Sequence, residues 1–490
     1  MNDDIGTMAR GVIMSGFNGP TLDPALPHFG GYVLFERNGA SVGEIRALTD
    51  ALRARGNEAP LIAIDQEGGA VSRLRGGVEA MPSMMALGAI GDLELAERAG
   101  EQIAFDLRRA GCTLDFAPVL DLALDERNTV IGTRSLGSDP ESVAALGAAF
   151  ARGLERGGIV PCYKHFPGHG ATAVDSHEAL PVIDVQETTL RRRDLLPFAA
   201  VARDAPAIMG AHALVPAFDA QFPATLSGGI VNGLLRGELG FGGAYVTDCL
   251  EMKAVATRGS VECATQALGA GADLLLFSQS VDLALAAADA IARAVREERI
   301  PAQRLQEAHA RVLRLRNASA SPLPTGAFPP HPGVGREIGR RAVTLLRGVP
   351  RADPVTSIVV SFGDERSASL RREAPVLKEV TVSSDPSDGE VDGIFTSIAQ
   401  SGRRPLLLSR RAHLHPAQAR AIARIVDRYP DAPVASLLEP FDLPLFASAR
   451  HLLATYGDSQ ASIAGLADVL FGGSLAEGHV PVKLLEPVSD

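Results

Sequence analysis

The chain has 490 residues, of which 46% are hydrophobic and 21% charged, and its formal net charge is −11. That length and composition allow two or three ordered domains with a large apolar core and exclude a disordered or low-complexity chain. The acidic balance, with no clustered basic face, argues against a nucleic-acid partner, and no apolar run of about 18 residues is present to span a membrane.

The opening residues, Met1 to Met14, lack a basic stretch followed by an apolar one. The expectation is therefore no signal peptide and a cytoplasmic protein. The four cysteines, Cys112, Cys162, Cys249 and Cys263, have no CxxC spacing. They read as reduced, mostly buried thiols rather than as a disulfide framework. Arg191–Arg193 is a short basic run and reads as a solvated helix start.

Short apolar runs then recur in chain order. The expected strands are Gly11–Met14, Gly31–Phe35, Leu61–Asp65, Thr113–Ala117, Val160–Lys164, Ala207–Ala211, Ala244–Asp248 and Asp273–Phe277. Amphipathic stretches such as Glu94–Ala110, Pro140–Arg156 and Leu195–Arg203 separate them. Strands alternating with helices imply parallel βαβ units, and eight such units fit a TIM-type (β/α)8 barrel better than an open doubly wound sheet.

A helix is expected from Ala302 to Leu315. After it, five prolines between Pro322 and Pro332 mark a semi-rigid linker. The expected division is a catalytic barrel over 1–318, a Pro-rich linker over 319–335 and a smaller α/β sandwich domain over 336–490. In that last part the pattern predicts helices over Arg336–Arg347, Ser367–Glu373 and Pro416–Arg428. It predicts strands over Ser357–Phe362, Glu379–Val382, Gly393–Thr396, Pro405–Leu408 and Val434–Leu438.

A barrel carries its site at the C-terminal ends of its strands, so polar residues that close an apolar strand are the candidates. Asp65 follows Leu61-Ile-Ala-Ile64, and Gly68 and Gly69 permit a tight turn after it. Arg73, a few residues on, can pair with a carboxylate or reach a ligand. Arg134 projects from a segment of small residues after the fourth strand. Asp248 closes the seventh strand, where a carboxylate can act as nucleophile, base, metal ligand or helix cap.

Lys164-His-Phe-Pro-Gly-His-Gly through Asp175-Ser-His177 is the densest segment, with three of the chain's 11 histidines. Lys164 and His165 end the fifth strand. Asp175 and His177 stand two apart, the spacing at which a carboxylate can orient an imidazole for acid/base work. The same residues, with His165 and His169, are also a plausible metal-ligand set. Spacing alone leaves the two readings level.

Together these segments resemble glycoside hydrolase family 3, in its bacterial β-N-acetylglucosaminidase branch. Lys164–Gly170, Asp175–His177, Asp65-Gln-Glu-Gly-Gly69 and Thr247-Asp-x-Leu-x-Met252 carry the likeness. Ala454-Thr-Tyr-Gly-Asp458, Val469-Leu-Phe-Gly-Gly473 and Gly478–Val482 resemble the end of the family's second domain. The resemblance implies a hydrolase that retains anomeric configuration, with Asp248 as nucleophile and His177, steered by Asp175, as acid/base. It implies that Asp65, Arg73, Arg134, Lys164 and His165 bind the terminal sugar, with no metal and no cofactor. The implied substrate is a carbohydrate ending in β-linked N-acetylglucosamine, from chitin or in peptidoglycan recycling. Transfer to phosphate in place of water, or β-glucosidase specificity, are the alternatives it leaves. The sequence does not specify an oligomeric state.

Overall fold

The computed structural model describes residues 2–56, 59–176, 178–319, 322–323, 329–363 and 370–484. The first eight parallel strands are β1 (Ile13–Ser15), β2 (Gly31–Leu34), β3 (Leu61–Ile64), β4 (Leu114–Asp115), β5 (Val160–Phe166), β6 (Ala207–Gly210), β7 (Ala244–Thr247) and β8 (Leu275–Phe277). They pair in the order β8-β1-β2-β3-β4-β5-β6-β7. A parallel bridge between Val246 and Leu274 joins the two ends, with Thr247 N donating to Leu274 O at 3.0 Å. This is the (β/α)8 barrel expected from the alternation, and each strand falls within a residue or two of its expected place.

Period-two alternation explains why these segments close into a barrel. Met14, Val33, Leu61, Ala63, Leu114, Cys162, Met209, Val246 and Leu276 form one buried cluster that fills the barrel interior. Their neighbours Ile13, Tyr32, Ile62, Ile64, Tyr163, Ile208, Tyr245 and Leu275 belong to a second cluster, packed against the helices. Successive side chains on a strand point to opposite faces, so a chain apolar at both positions must be covered on both sides. The surrounding helices are well specified locally. Ser41 caps Val42–Arg53 with a reciprocal bond to Glu44. Asp92 caps Leu93–Ala110, and Asp139 caps Pro140–Arg156. Arg191 and Arg192 lie in the last turn of a helix over Glu187–Arg192. The basic run therefore ends a helix rather than starting one, where cations complement the helix dipole.

The second domain is a six-stranded sheet. Its strands are β9 (Thr344–Arg347), β10 (Ser357–Phe362), β11 (Lys378–Val382), β12 (Arg404–Ser409), β13 (Val434–Ser436) and β14 (Leu452–Ala454), in the order β9-β14-β13-β12-β10-β11. Among the described residues of this sheet the β9–β14 pair is antiparallel and the other four pairs are parallel. Two expectations change here. The segment Arg336–Arg347 is a helix over Val334–Ala342 followed by β9, because Thr344–Arg347 pairs with β14. Gly393–Thr396 is not a strand but lies inside a helix over Asp388–Ser401. Ser387 and Glu390 form a reciprocal cap at the start of that helix. Of Ser367–Glu373, residues 370–372 form a 3-10 turn and residues 364–369 lie outside the described residues.

The two domains are docked by packing and polar contacts. The helix over Val334–Ala342 lies against the barrel helices, with Arg98 pairing to Glu337 at 2.8 Å and Arg341 to Asp92 at 3.0 Å. His479 N donates to Ala89 O at 2.9 Å, and Ser138 N to Pro481 O at 2.9 Å. Ser83 Oγ donates to the carbonyl of Tyr456. The second domain thus sits beside the C-terminal mouth of the barrel, where the loops after β3 and β4 emerge. All four cysteines are unpaired and buried.

Candidate active site

A cavity of about 740 Å³ opens at the C-terminal ends of the strands. Asp65, Arg73, Arg134, Lys164, His165, Asp175 and Asp248 all line it. Seven residues chosen from separate parts of the sequence therefore meet at one place. The eighth, His177, lies outside the described residues.

The floor is a buried ionic network. Asp65 and Glu67 follow β3, and the chain turns back at once through Gly68 (φ 95°) and Gly69 (φ 56°). A Cβ on Gly69 would stand 2.8 Å from Ser83 Cα, so the turn needs both a left-handed backbone and the missing side chain. Lys164 Nζ, from β5, reaches Asp65 Oδ1 at 2.7 Å and Glu67 Oε1 at 2.6 Å. Arg134 grips Glu67 with two parallel bonds of 2.8 Å from Nε and Nη2. Burial alone would raise the Glu67 carboxyl, but Arg134 and Lys164 outweigh it and hold the pKa at about 2. Burial would likewise lower Lys164, yet Asp65 and Glu67 keep it raised and charged. Asp115 stands at the end of β4 behind them, where Gln66 N donates to its Oδ1 at 2.9 Å. Burial lifts its pKa well above the ordinary range; the Gln66 N–H and Lys164 pull it down, and the nearby charges of Asp65 and Glu67 add to the rise.

This network carries an acid-stability signature. Glu67 has an ordinary value of 4.5 and a folded value of about 2. A depressed carboxyl contributes stability that is fully present above its unfolded pKa and is lost as pH falls toward the folded one. The melting temperatures of wild type and Glu67→Gln should therefore differ above pH 4.5 and converge as the pH drops toward 2. A gap that stays constant across that range would contradict the assignment.

His165 and Asp248 stand opposite one another in energetic character. His165 Nδ1 lies 2.6 Å from Asp121 Oδ2, and Asp121 Oδ1 accepts from His169 N at 2.6 Å. Asp121 is fully buried; burial would raise it, but His165 and His169 bring it down. His165 is thus fixed by a carboxylate on one ring nitrogen, leaving Nε2 for the cavity. His169 is buried in the same wall, and burial lowers its pKa; its ring nitrogens have no hydrogen-bond partner among the described residues. Among the described residues no group of three or more His, Cys, Asp or Glu could hold a metal ion.

Asp248 directly follows β7 and is not a helix cap, since the next helix begins at Lys253. Its Oδ1 accepts from Cys249 N at 2.7 Å. Burial would raise its pKa, but His212, His165, the Cys249 N–H and Lys164 lower it below the ordinary range, so the carboxylate is ionised. His212 holds this segment from behind. Its Nε2 donates to Cys249 O at 2.9 Å, and its Nδ1 lies 2.6 Å from Thr225 Oγ.

Arg73 stands at the edge of the cavity with its guanidinium 5.8 Å from the centroid of Phe35. Its buried Nε has no hydrogen-bond partner among the described residues. Asp175 lies on the loop after β5 and lines the same cavity. Glu67, Asp121 and His212 join these seven, although none is among the site residues expected from the sequence. Glu67 lies two residues past Asp65, while Asp121 and His212 each directly follow an apolar segment, as Asp65 and Asp248 do.

The sequence pattern of the glycosyl hydrolase family 3 N-terminal domain matches residues 25–315. The chain belongs to glycosyl hydrolase family 3. It is a glycoside hydrolase, and the cavity above lies within the matched residues except for what the second domain adds. The β-hexosaminidase of Chromobacterium violaceum is 43% identical over 259 residues, which is 51% of this chain and 72% of that protein. The β-hexosaminidase of Pseudomonas aeruginosa strain LESB58 is 41% identical over 266 residues, covering 53% of this chain and 79% of that protein. Both of these relatives align with only about half of this chain. The solved structure of a family 3 β-N-acetylglucosaminidase from Paenibacillus sp. str. FPU-7 superposes with a TM-score of 0.90 at 35% identity, over 99% of each chain. That likeness includes the second domain.

Proposed function

We propose that this family 3 enzyme is a retaining exo-β-N-acetylglucosaminidase that releases terminal β-linked N-acetylglucosamine from chitin or peptidoglycan fragments. The relatives named above as β-hexosaminidases and a β-N-acetylglucosaminidase support the sugar. So does the resemblance of this cavity's residues to that branch. The observation that carries the reaction is the Asp248 carboxylate, ionised and presented to the cavity at the end of β7.

Asp65, Lys164, Arg134 and His165 would hold the terminal sugar through its hydroxyls. The Lys164–Asp65 pair, with Glu67 holding Arg134 and Asp121 holding His165, keeps them in place before substrate arrives, so little ordering is needed on binding. Asp248 then attacks the anomeric carbon. The bond from that carbon to the leaving oxygen breaks, and an ester to Asp248 forms. His177, with Asp175 raising its basicity, gives its proton to the leaving oxygen. In the second step His177 takes a proton from water, whose oxygen attacks the anomeric carbon and frees Asp248. Two inversions give net retention. A histidine suits both proton transfers because its pKa lies near neutrality.

Nitrophenyl glycosides test this. The N-acetyl-β-glucosaminide should turn over without added phosphate and release the β anomer first. His177→Ala should spare substrates with good leaving groups and lose about 10²–10⁴-fold on poor ones, the usual worth of a general acid. Equal losses on both would remove His177 from that role. Release of sugar 1-phosphate, with turnover dependent on phosphate, would replace water by phosphate as acceptor.

A further inference from the structure

The second domain reaches into the barrel's cavity. Arg411 comes two residues after β12 and lines the cavity together with Asp248, Arg134 and Asp175. Its Nε and Nη2 donate to Glu439 Oε2 and Oε1, both at 2.8 Å. Glu439 Oε1 also accepts from Thr133 N at 3.1 Å, one residue before Arg134. Glu439 therefore ties the Arg411 guanidinium to the turn that carries Arg134. This leaves Nη1 without a hydrogen-bond partner among the described residues.

Two further observations separate a ligand role from simple docking. Arg411 has φ 51°, a left-handed backbone that residues with a Cβ seldom adopt. Such strain persists only where the surroundings impose it, and it gathers at functional sites. The cavity's charged side chains also grade outward. For three of the lining cations, side-chain exposure is 2% for Lys164, 18% for Arg134 and 27% for Arg411. The floor groups suit the terminal sugar, and the rim group meets what protrudes beyond it. The cavity has room for more than one sugar ring at about 740 Å³.

We propose that Arg411 is a substrate-binding residue supplied by the second domain, donating from Nη1 to oxygens of the sugar on the leaving side of the cleaved bond. The pairing with Glu439 offsets the guanidinium charge, so the site fits the hydroxyl or carbonyl oxygens of a neutral sugar and needs no anion. The second domain would thus help choose the leaving group. The proposal rests on the reading that the cavity cleaves a glycosidic bond at Asp248.

The test compares kcat and KM on a β-1,4-linked N-acetylglucosamine disaccharide and on the nitrophenyl N-acetyl-β-glucosaminide. Arg411→Ala should lose about tenfold in kcat/KM on the disaccharide, mostly through KM, and less than about twofold on the aryl glycoside, as expected for one charge-assisted hydrogen bond. Arg411→Lys should fall between. His413→Ala is the control. His413 Nε2 bonds Glu126 O at 2.9 Å across the same domain contact, so this variant loosens docking without removing a cavity donor. It should leave the ratio between the two substrates unchanged. Equal losses on both substrates in Arg411→Ala, no loss on either, or the same ratio change in His413→Ala would overturn the proposal. A wild-type enzyme inactive on both glycosides would instead remove the underlying reading of the cavity.

Discussion

Asp248→Asn should lose about 10⁴-fold or more in kcat while keeping its fold, because only the group that forms the glycosyl bond is removed. The expected melting temperature stays within a few degrees of wild type, for two reasons. The amide nearly matches the carboxylate in shape and can still accept from Cys249 N. The ionised group is also held against the pull of burial, so neutralising it removes a desolvation cost along with its attraction to His212 and His165. Kinetics on the nitrophenyl glycoside with a thermal melt of the same preparation would check both halves. A variant that keeps a tenth of the activity would mean that another group, or water alone, performs the displacement.

Lys164→Met should unfold far more readily than wild type. Lys164 is the cation shared by Asp65 and Glu67, at 2.7 and 2.6 Å. Removing it leaves two acids in a site where burial already pushes the Asp115 carboxyl well above the ordinary range. Breaking a buried pair from one side costs about 3–5 kcal/mol, since the partner charge stays behind without compensation. Arg134 still satisfies Glu67, so most of the cost should come from Asp65. The double variant Lys164→Met/Asp65→Asn should then be less destabilised than the sum of its two single changes. Chemical denaturation of the four proteins measures that coupling, and strict additivity would contradict it.

The barrel is legible in the sequence because its strands must be apolar on both faces. Leu61-Ile-Ala-Ile64 places Leu61 and Ala63 in the barrel interior and Ile62 and Ile64 under the helices. An uninterrupted run of this kind, ended by an acid, identifies both the strand and the residue at its mouth. The second domain is less legible. Gly393-Ile-Phe-Thr396 has the composition of a strand, yet only Ile394 of the four is fully buried and the segment continues a helix. The stronger signal is six residues upstream, in the reciprocal cap between Ser387 and Glu390. Arg336–Arg347 changes from helix to strand at Val343, where pairing with β14 overrides the helical pattern.

The site was legible where a residue type has few alternative uses. Lys164 ending an apolar strand is costly unless a carboxylate meets it, and Asp65 and Glu67 do. Asp121 and His212 are harder to read. Their work is done through other residues, Asp121 by orienting His165 and His212 by holding the Cys249 carbonyl. Each follows an apolar segment, but that placement alone does not separate a support from a residue that faces the cavity. Arg411 is harder still, because its place in the cavity depends on how two domains dock, and Glu439 and Thr133 that fix it lie hundreds of residues apart.

Incubation with a fluorinated N-acetylglucosaminyl donor that forms the first ester and hydrolyses slowly, followed by peptide mapping, bears most directly on a transient bond between Asp248 and the sugar. The label should sit on the peptide containing Asp248, in a stoichiometric amount. A label on another side chain, or initial release of product with inverted configuration, would contradict the account.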